Sequence, residues 1–185
     1  MRIVGGEARG RKLFAPEGLD TRPTADRVRE SLFNILSPRV RGSRVLDLFA
    51  GSGALALEAL SRGAFSAVLV DVSAKACQLI KRNIEIVRCE HATKLINADW
   101  KRALGQIGDG FDIVFFDPPY RMETVYAEAA QALLDAGLLN EGAVLVMEHW
   151  TKNALLLPAV FEVYDERHYG ECAISLVRAQ GSVGS

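Results

Sequence analysis

The order of apolar and polar positions divides the chain into a short leading segment and a longer run in which strand and helix patterns alternate. At the start, MRIVGG and RKLFAP are brief apolar runs separated by Gly5, Gly6 and Gly10, a pattern that predicts a small N-terminal hairpin. In TADRVRESLFNIL, Val28, Leu32, Ile35 and Leu36 recur at helical spacing on one face, with Thr24 as the cap and Pro38 as the stop. From Arg44 onward, RVLDL, AVLVD, TKLINAD, FDIVFFD and AVLVMEH read as strands. Between them ALALEALS, SAKACQLIKRNIEIV and VYAEAAQALLD read as helices. FEVYDERHYG and CAISLVRA close the chain as an antiparallel pair. Such alternation predicts an α/β fold: a doubly wound, mostly parallel sheet with helices on both faces.

Composition adds bounds to this picture. With 185 residues, 49% hydrophobic and 24% charged, the chain suits one globular unit with a sufficient core. Cys77, Cys89 and Cys172 form no C-x-x-C pair, and His91, His149 and His168 have no H-x-x-x-H spacing, so neither a metal site nor a disulfide is expected. That cysteine usage makes the cytoplasm the expected compartment, and the basic, glycine-rich start, with no long apolar segment, points to a soluble protein with no membrane span. Charge is unevenly spread. Residues 1–44 hold ten Lys or Arg against five Asp or Glu, a net +5, and residues 45–185 hold twelve against eighteen, a net −6. A basic end on an acidic body suits a polyanionic partner approached from one side, although a solvated basic arm would look the same.

Candidate chemistry collects where strands end. VLDLFAGSGALALEAL runs from a strand through Gly51-Ser52-Gly53 into a helix, where an open α/β sheet binds its ligand and glycines let the backbone approach it. Ala56 stands at the third position of the dinucleotide fingerprint, and Asp71 ends the next strand, where it could bond ribose hydroxyls. These features alone fit NAD or S-adenosylmethionine equally. Asp47 shifts the balance, because a carboxylate before the loop suits an amino-acid ammonium better than a pyrophosphate. Asp99, in NADW, could accept from an adenine amino group, with the Trp100 amide reaching a ring nitrogen. At the end of FDIVFF, Asp117 is followed by Pro118 and Pro119, which cannot continue a sheet ladder and make a rigid corner, and then by Tyr120. Asp47, Asp71, Asp99 and Asp117 are therefore expected to converge on one crevice.

DLFAGSG followed by DPPY resembles the class I S-adenosylmethionine-dependent methyltransferases that act on exocyclic amines. MRIVGGEARGRKL, TRPTADRVRESLFNIL, VLDLFAGSGALALEALSRGA, FFDPPY and the late YG extend this to nearly the whole chain, which is similar to the ribosomal RNA small subunit methyltransferase D family. The resemblance implies a Rossmann-like, seven-stranded methyltransferase sheet (44–180) with an added N-terminal hairpin and helix (1–43); in the closing QGSVGS, residues 181–185 read from their composition as a frayed tail. The resemblance also implies methylation of the N2 amine of a specific guanine in 16S rRNA, with S-adenosylmethionine as methyl donor, S-adenosylhomocysteine as product and no metal. The partner implied is 16S rRNA or the small ribosomal subunit, and a monomer is expected. By position, the cofactor site falls on Asp47, Phe49, Ala50, Gly51, Gly53, Asp71, Asp99 and Trp100, with Arg22, Pro23 and Thr24 closing over it. Asp117, Pro118, Pro119 and Tyr120 form the catalytic stretch. The family usually carries glycine where Ala56 stands here. Arg2, Arg9, Arg11, Lys12 and Arg27 are the expected RNA contacts, and Tyr169 an expected wall of the base pocket; Arg27 and Arg29 could instead pair with Asp26 or Glu30. Glu148 and His149 receive no role. Rival activities are methylation of adenine N6 or of a protein glutamine, an NAD-dependent oxidoreductase, and a non-catalytic RNA-binding module.

Overall fold

A computed structural model describes residues 1–16, 23–119 and 124–180, with the backbone alone at 23 and 24. Seven strands, β1 (Arg44–Asp47), β2 (Ser66–Asp71), β3 (Thr93–Asn97), β4 (Phe111–Phe116), β5 (Leu139–Trp150), β6 (Phe161–Tyr169) and β7 (Cys172–Ala179), form one sheet. Their spatial order is β3-β2-β1-β4-β5-β7-β6, with β7 antiparallel to both its neighbours. The central strands are apolar on both faces because helices cover both. On one face lie α1 (Pro23–Val40), α2 (Ala54–Ser61) and α3 (Ala74–Val87); on the other lie α4 (Trp100–Leu104) and α5 (Val125–Asp135). This is the seven-stranded, mostly parallel sheet with helices on both faces that the sequence predicts. Among the described residues, no helix is long and apolar enough to cross a membrane.

Several element boundaries differ from the sequence expectation. The first helix starts at Pro23, so Thr24 lies inside it rather than capping it, and it continues through Pro38 to Val40. A proline in the last turn removes only one amide bond, there to the carbonyl of the exposed Asn34, where water can substitute. The third strand stops at Asn97, and Asp99 caps the short helix α4, which was not anticipated. β5 begins at Leu139, which already pairs with Phe111; the ladder then shifts register before Ile113 meets Val144, and Gly142 with φ 72° lies within the shift.

The predicted hairpin is reduced to a single bridge, Arg2 to Lys12, with Ile3 N donating to Arg11 O at 3.0 Å and Leu13 N to Met1 O at 3.0 Å. Its main attachment is to α2. Glu7 N donates to Ser61 O at 2.8 Å and Ala8 N to Ser61 Oγ at 2.9 Å. Approach is so close at Gly6 (φ 75°) that a Cβ there would fall 1.8 Å from the Ser61 carbonyl oxygen, so only glycine fits. Ile3 and Leu13 join Leu32, Phe33 and Leu36 of α1 in the same core as the sheet, where the Phe33 and Phe115 rings lie 5.9 Å apart.

Candidate active site

Strand register gathers the acidic side chains. Asp99, Asp71, Asp47 and Asp117 follow or end β3, β2, β1 and β4, four successive neighbours along the carboxyl edge of the sheet. Phe115 pairs with Val146 and Phe116 with Met147, so Asp117 is followed across the ladder by Glu148. Strand alternation puts Asp117 and Glu148 on the face of Phe115 and Val146, beneath α1. Asp117 keeps part of its surface open to water while neighbouring protein shields the rest. Burial, then the nearby Glu148 and Asp47 carboxylates, push its carboxyl well above the usual range.

Asp47 is the most deeply buried of these groups. It is buried, and its Oδ1 has no hydrogen-bond partner among the described residues. Its carboxyl is pushed up to about 7, first by burial and then by Asp71, while backbone N–H bonds from Ala56 and Phe49 oppose the rise. A buried carboxylate oxygen without a donor is costly to the protein by itself, and a cationic ligand would satisfy it. The adjoining loop has room: a Cβ on Gly51 (φ 55°) would meet nothing within 4 Å, whereas one on Gly53 (φ 77°) would press on Leu69 at 3.0 Å. Gly51 thus leaves open space toward a ligand, and Gly53 packs the loop onto the sheet. Ala50 N donates to Val70 O at 2.9 Å, and Phe49 is half-buried against the other core.

Asp71 holds the loop in place. Its Oδ2 accepts from Gly51 N at 2.9 Å and its Oδ1 from Ser73 N at 2.8 Å, leaving each oxygen one more acceptor position. Beside it Val72 is 73% exposed, an apolar side chain at the crevice rim that the sequence did not single out. Asp99 accepts from Lys101 N at 2.9 Å as the α4 cap, and Trp100 is buried. Among the described residues, no three His, Cys, Asp or Glu side chains lie close enough to hold a metal ion.

Of the proline corner, Pro118 is buried and Pro119 exposed. Tyr120 and Arg22 lie outside the described residues, as does the side chain of Thr24. Glu148, unassigned from the sequence, faces Asp117, and its Oε1 accepts the Cys172 thiol at 3.2 Å. His149 turns to the opposite face, where Nε2 hydrogen-bonds with Ser175 Oγ at 2.8 Å and the ring meets Tyr126 edge-on.

The basic residues have different surroundings. Arg9 and Lys12 are exposed. Arg11 donates to the Ile86 and Val87 carbonyls, both at 2.8 Å, at the end of α3, and Arg2 lies 3.5 Å from Asp26. Arg27 lines an open groove of about 480 Å³ with Glu30, Ser31 and Arg167, which contains none of the strand-end carboxylates. Arg29 is buried, paired with Asp26 at 2.9 Å and Glu58 at 3.5 Å, so of the two alternatives its ion pairing is what forms. Tyr169 is half-buried, its hydroxyl 2.8 Å from Ser31 Oγ.

The family described as Conserved hypothetical protein 95 matches residues 1–178. Ribosomal RNA small subunit methyltransferase D of Escherichia coli (strain K12) is 40% identical over 184 residues, covering 98% of this chain and 92% of the relative. The protein of that name from Haemophilus influenzae is 34% identical, covering 92% and 89%. Among solved structures, yhhF from Escherichia coli has a TM-score of 0.86 and 36% identity, covering 98% of this chain and 99% of that one.

Proposed function

The chain belongs to the ribosomal RNA small subunit methyltransferase D family, and from that premise we propose that it methylates the exocyclic N2 amine of a guanine in the 16S rRNA of the small ribosomal subunit. The observation that carries this reading is the adjacency of two carboxylates with complementary needs: buried Asp47, whose Oδ1 lacks a donor among the described residues, and water-accessible Asp117 on the next strand. S-adenosylmethionine, when bound, supplies an electrophilic methyl group on a sulfonium and a cationic ammonium. Asp47 fits that ammonium, the space at Gly51 admits the chain bearing it, and Asp71 has acceptor capacity left for ribose hydroxyls. Val72 offers an apolar face to the adenine, and Asp99 with Trp100 borders it. Ala56, in place of the family's glycine, keeps its amide on Asp47 and costs no contact there.

Guanine N2 is a poor nucleophile because its lone pair is shared with the ring. If the Asp117 carboxylate and the Pro118 carbonyl accept its two N–H bonds, they hold the amine in line and favour the positive charge that develops on it. The two prolines keep that acceptor pair rigid, and Tyr120 is assigned the stacking surface for the extruded base, an interaction worth about 1–3 kcal/mol. The test is incubation of labelled S-adenosylmethionine with ribosomes or rRNA from a strain lacking this protein, then nucleoside analysis. Label in N2-methylguanosine is expected; label only in N6-methyladenosine or in protein would overturn the proposal.

Arg9 and Lys12, exposed on the N-terminal segment, are assigned to RNA phosphates, whereas Arg11 also secures the end of α3. Removing both exposed cations by Arg9→Ala and Lys12→Ala should weaken RNA binding at low salt and flatten the slope of log affinity against log salt by about 1.4. Filter binding across a salt series measures this. An unaltered slope would return the segment to a solvated arm.

A further inference from the structure

We infer that Glu148 is the residue that selects guanine, by accepting the ring N1–H that lies beside the exocyclic amine. The inference rests on the N2 target proposed above. On the edge of guanine the N2 and N1 positions are neighbouring donors. On adenine the ring nitrogen next to the amine is an acceptor, which a carboxylate repels. Two adjacent carboxylates, Asp117 and Glu148, therefore match guanine and oppose adenine.

The arrangement around Glu148 is that of a held acceptor with capacity to spare. It follows Asp117 across the parallel β4–β5 ladder, where neighbouring strands lie roughly 4.8 Å apart. Its Oε1 takes the thiol hydrogen of Cys172 at 3.2 Å, and its backbone carbonyl takes the Tyr126 hydroxyl, so it is fixed from β7 on one side and α5 on the other. Burial, then Glu148 itself, pushes the Cys172 thiol up, so it remains a donor rather than a competing anion. The other Glu148 oxygen has no hydrogen-bond partner among the described residues, and Glu148 is half-buried at the crevice. Glu148 is the foremost like charge acting on Asp117, ahead of Asp47, so the two carboxylates repel one another. A ligand edge presenting two N–H groups relieves that repulsion, and such an edge is what guanine has and adenine lacks.

The test crosses two enzymes with two substrates. RNA carrying guanine at the target is compared with RNA carrying 2-aminopurine there, which keeps the N2 amine but makes N1 an acceptor. Wild-type protein is expected to favour guanine in kcat/KM by roughly 10- to 100-fold, the range for a charge-assisted hydrogen bond. Glu148→Ala should lose most of that preference, because the guanine rate falls while the 2-aminopurine rate holds or rises. A merely structural role would lower both rates alike, and an unmoved ratio would overturn the assignment. Glu148→Gln keeps the side-chain length and can turn its amide to donate to an acceptor N1, so it should narrow the ratio even if the alanine variant folds poorly. Wild-type protein that labels no guanine N2 would sink the functional proposal itself, a result separate from an unmoved ratio.

Discussion

Asp117→Ala is expected to abolish most turnover, by about 100-fold or more, while S-adenosylmethionine binding falls far less. The carboxylate is assigned a charge-assisted hydrogen bond to the amine that is worth most when positive charge develops there. That bond alone accounts for about 1.5–3 kcal/mol, or roughly 10- to 100-fold in rate. Misalignment adds to it, since an amine held by one acceptor instead of two no longer presents its lone pair in line. Only the ionised carboxylate can accept in this way, and burial, Glu148 and Asp47 together raise its pKa. Activity should therefore climb as pH rises through that elevated pKa, and Glu148→Gln should shift the acid limb to lower pH by removing a like charge. Single-turnover kinetics with calorimetric cofactor binding separates the two effects. Unchanged turnover in the alanine variant would remove Asp117 from its role.

What could be read from the sequence was whatever depends on local periodicity. Asp47, Asp71 and Asp117 each end a short apolar run, so a parallel sheet necessarily brings them to one edge in the spatial order β2, β1, β4. Gly51 and Gly53 were legible for a related reason: both have positive φ, which glycine adopts without strain. Helix α4 was not legible, because five residues starting at an apolar tryptophan show no period and Asp99 reads equally as a strand end or a cap. Glu148 was missed because its significance lies in the β4–β5 register, which brings it beside a residue 31 positions earlier in the chain. Asn83 was missed similarly. Fully buried, it accepts from Phe14 N at 2.8 Å and donates to the carbonyls of Phe14 at 3.0 Å and Ser52 at 2.9 Å, joining the N-terminal segment to the glycine loop. In SAKACQLIKRNIEIV it looks like one more polar position on a helix. Only tertiary partners reveal it.

Glu58→Ala should cause the largest loss of stability, about 3–5 kcal/mol, seen as a fall in Tm on the order of 10 °C. Glu58 interrupts the apolar helix ALALEALS and is fully buried. One oxygen pairs with Arg62 Nε at 2.8 Å, and the other accepts Val4 N at 2.9 Å and lies 3.5 Å from the Arg29 guanidinium. Arg29 in turn donates to the Arg2 carbonyl and to Asp26 at 2.9 Å, so one carboxylate connects the N-terminal segment, α1 and α2. Alanine would leave a buried guanidinium short of its counter-charge and a backbone amide without an acceptor, and such unpaired groups account for most of the penalty. Replacing the more deeply buried pair, Glu58→Leu with Arg29→Met, should recover part of the loss, because a buried ion pair contributes little over apolar groups of similar volume and the partly exposed Arg62 can turn to water. The N-terminal segment should not recover with it. Val4 N–H would still lack its acceptor, so amide exchange at Val4 should stay fast in the double variant although its Tm returns toward wild type. Equal Tm values for wild type and Glu58→Ala would show that the cluster is not what fixes the N-terminal segment to the sheet domain.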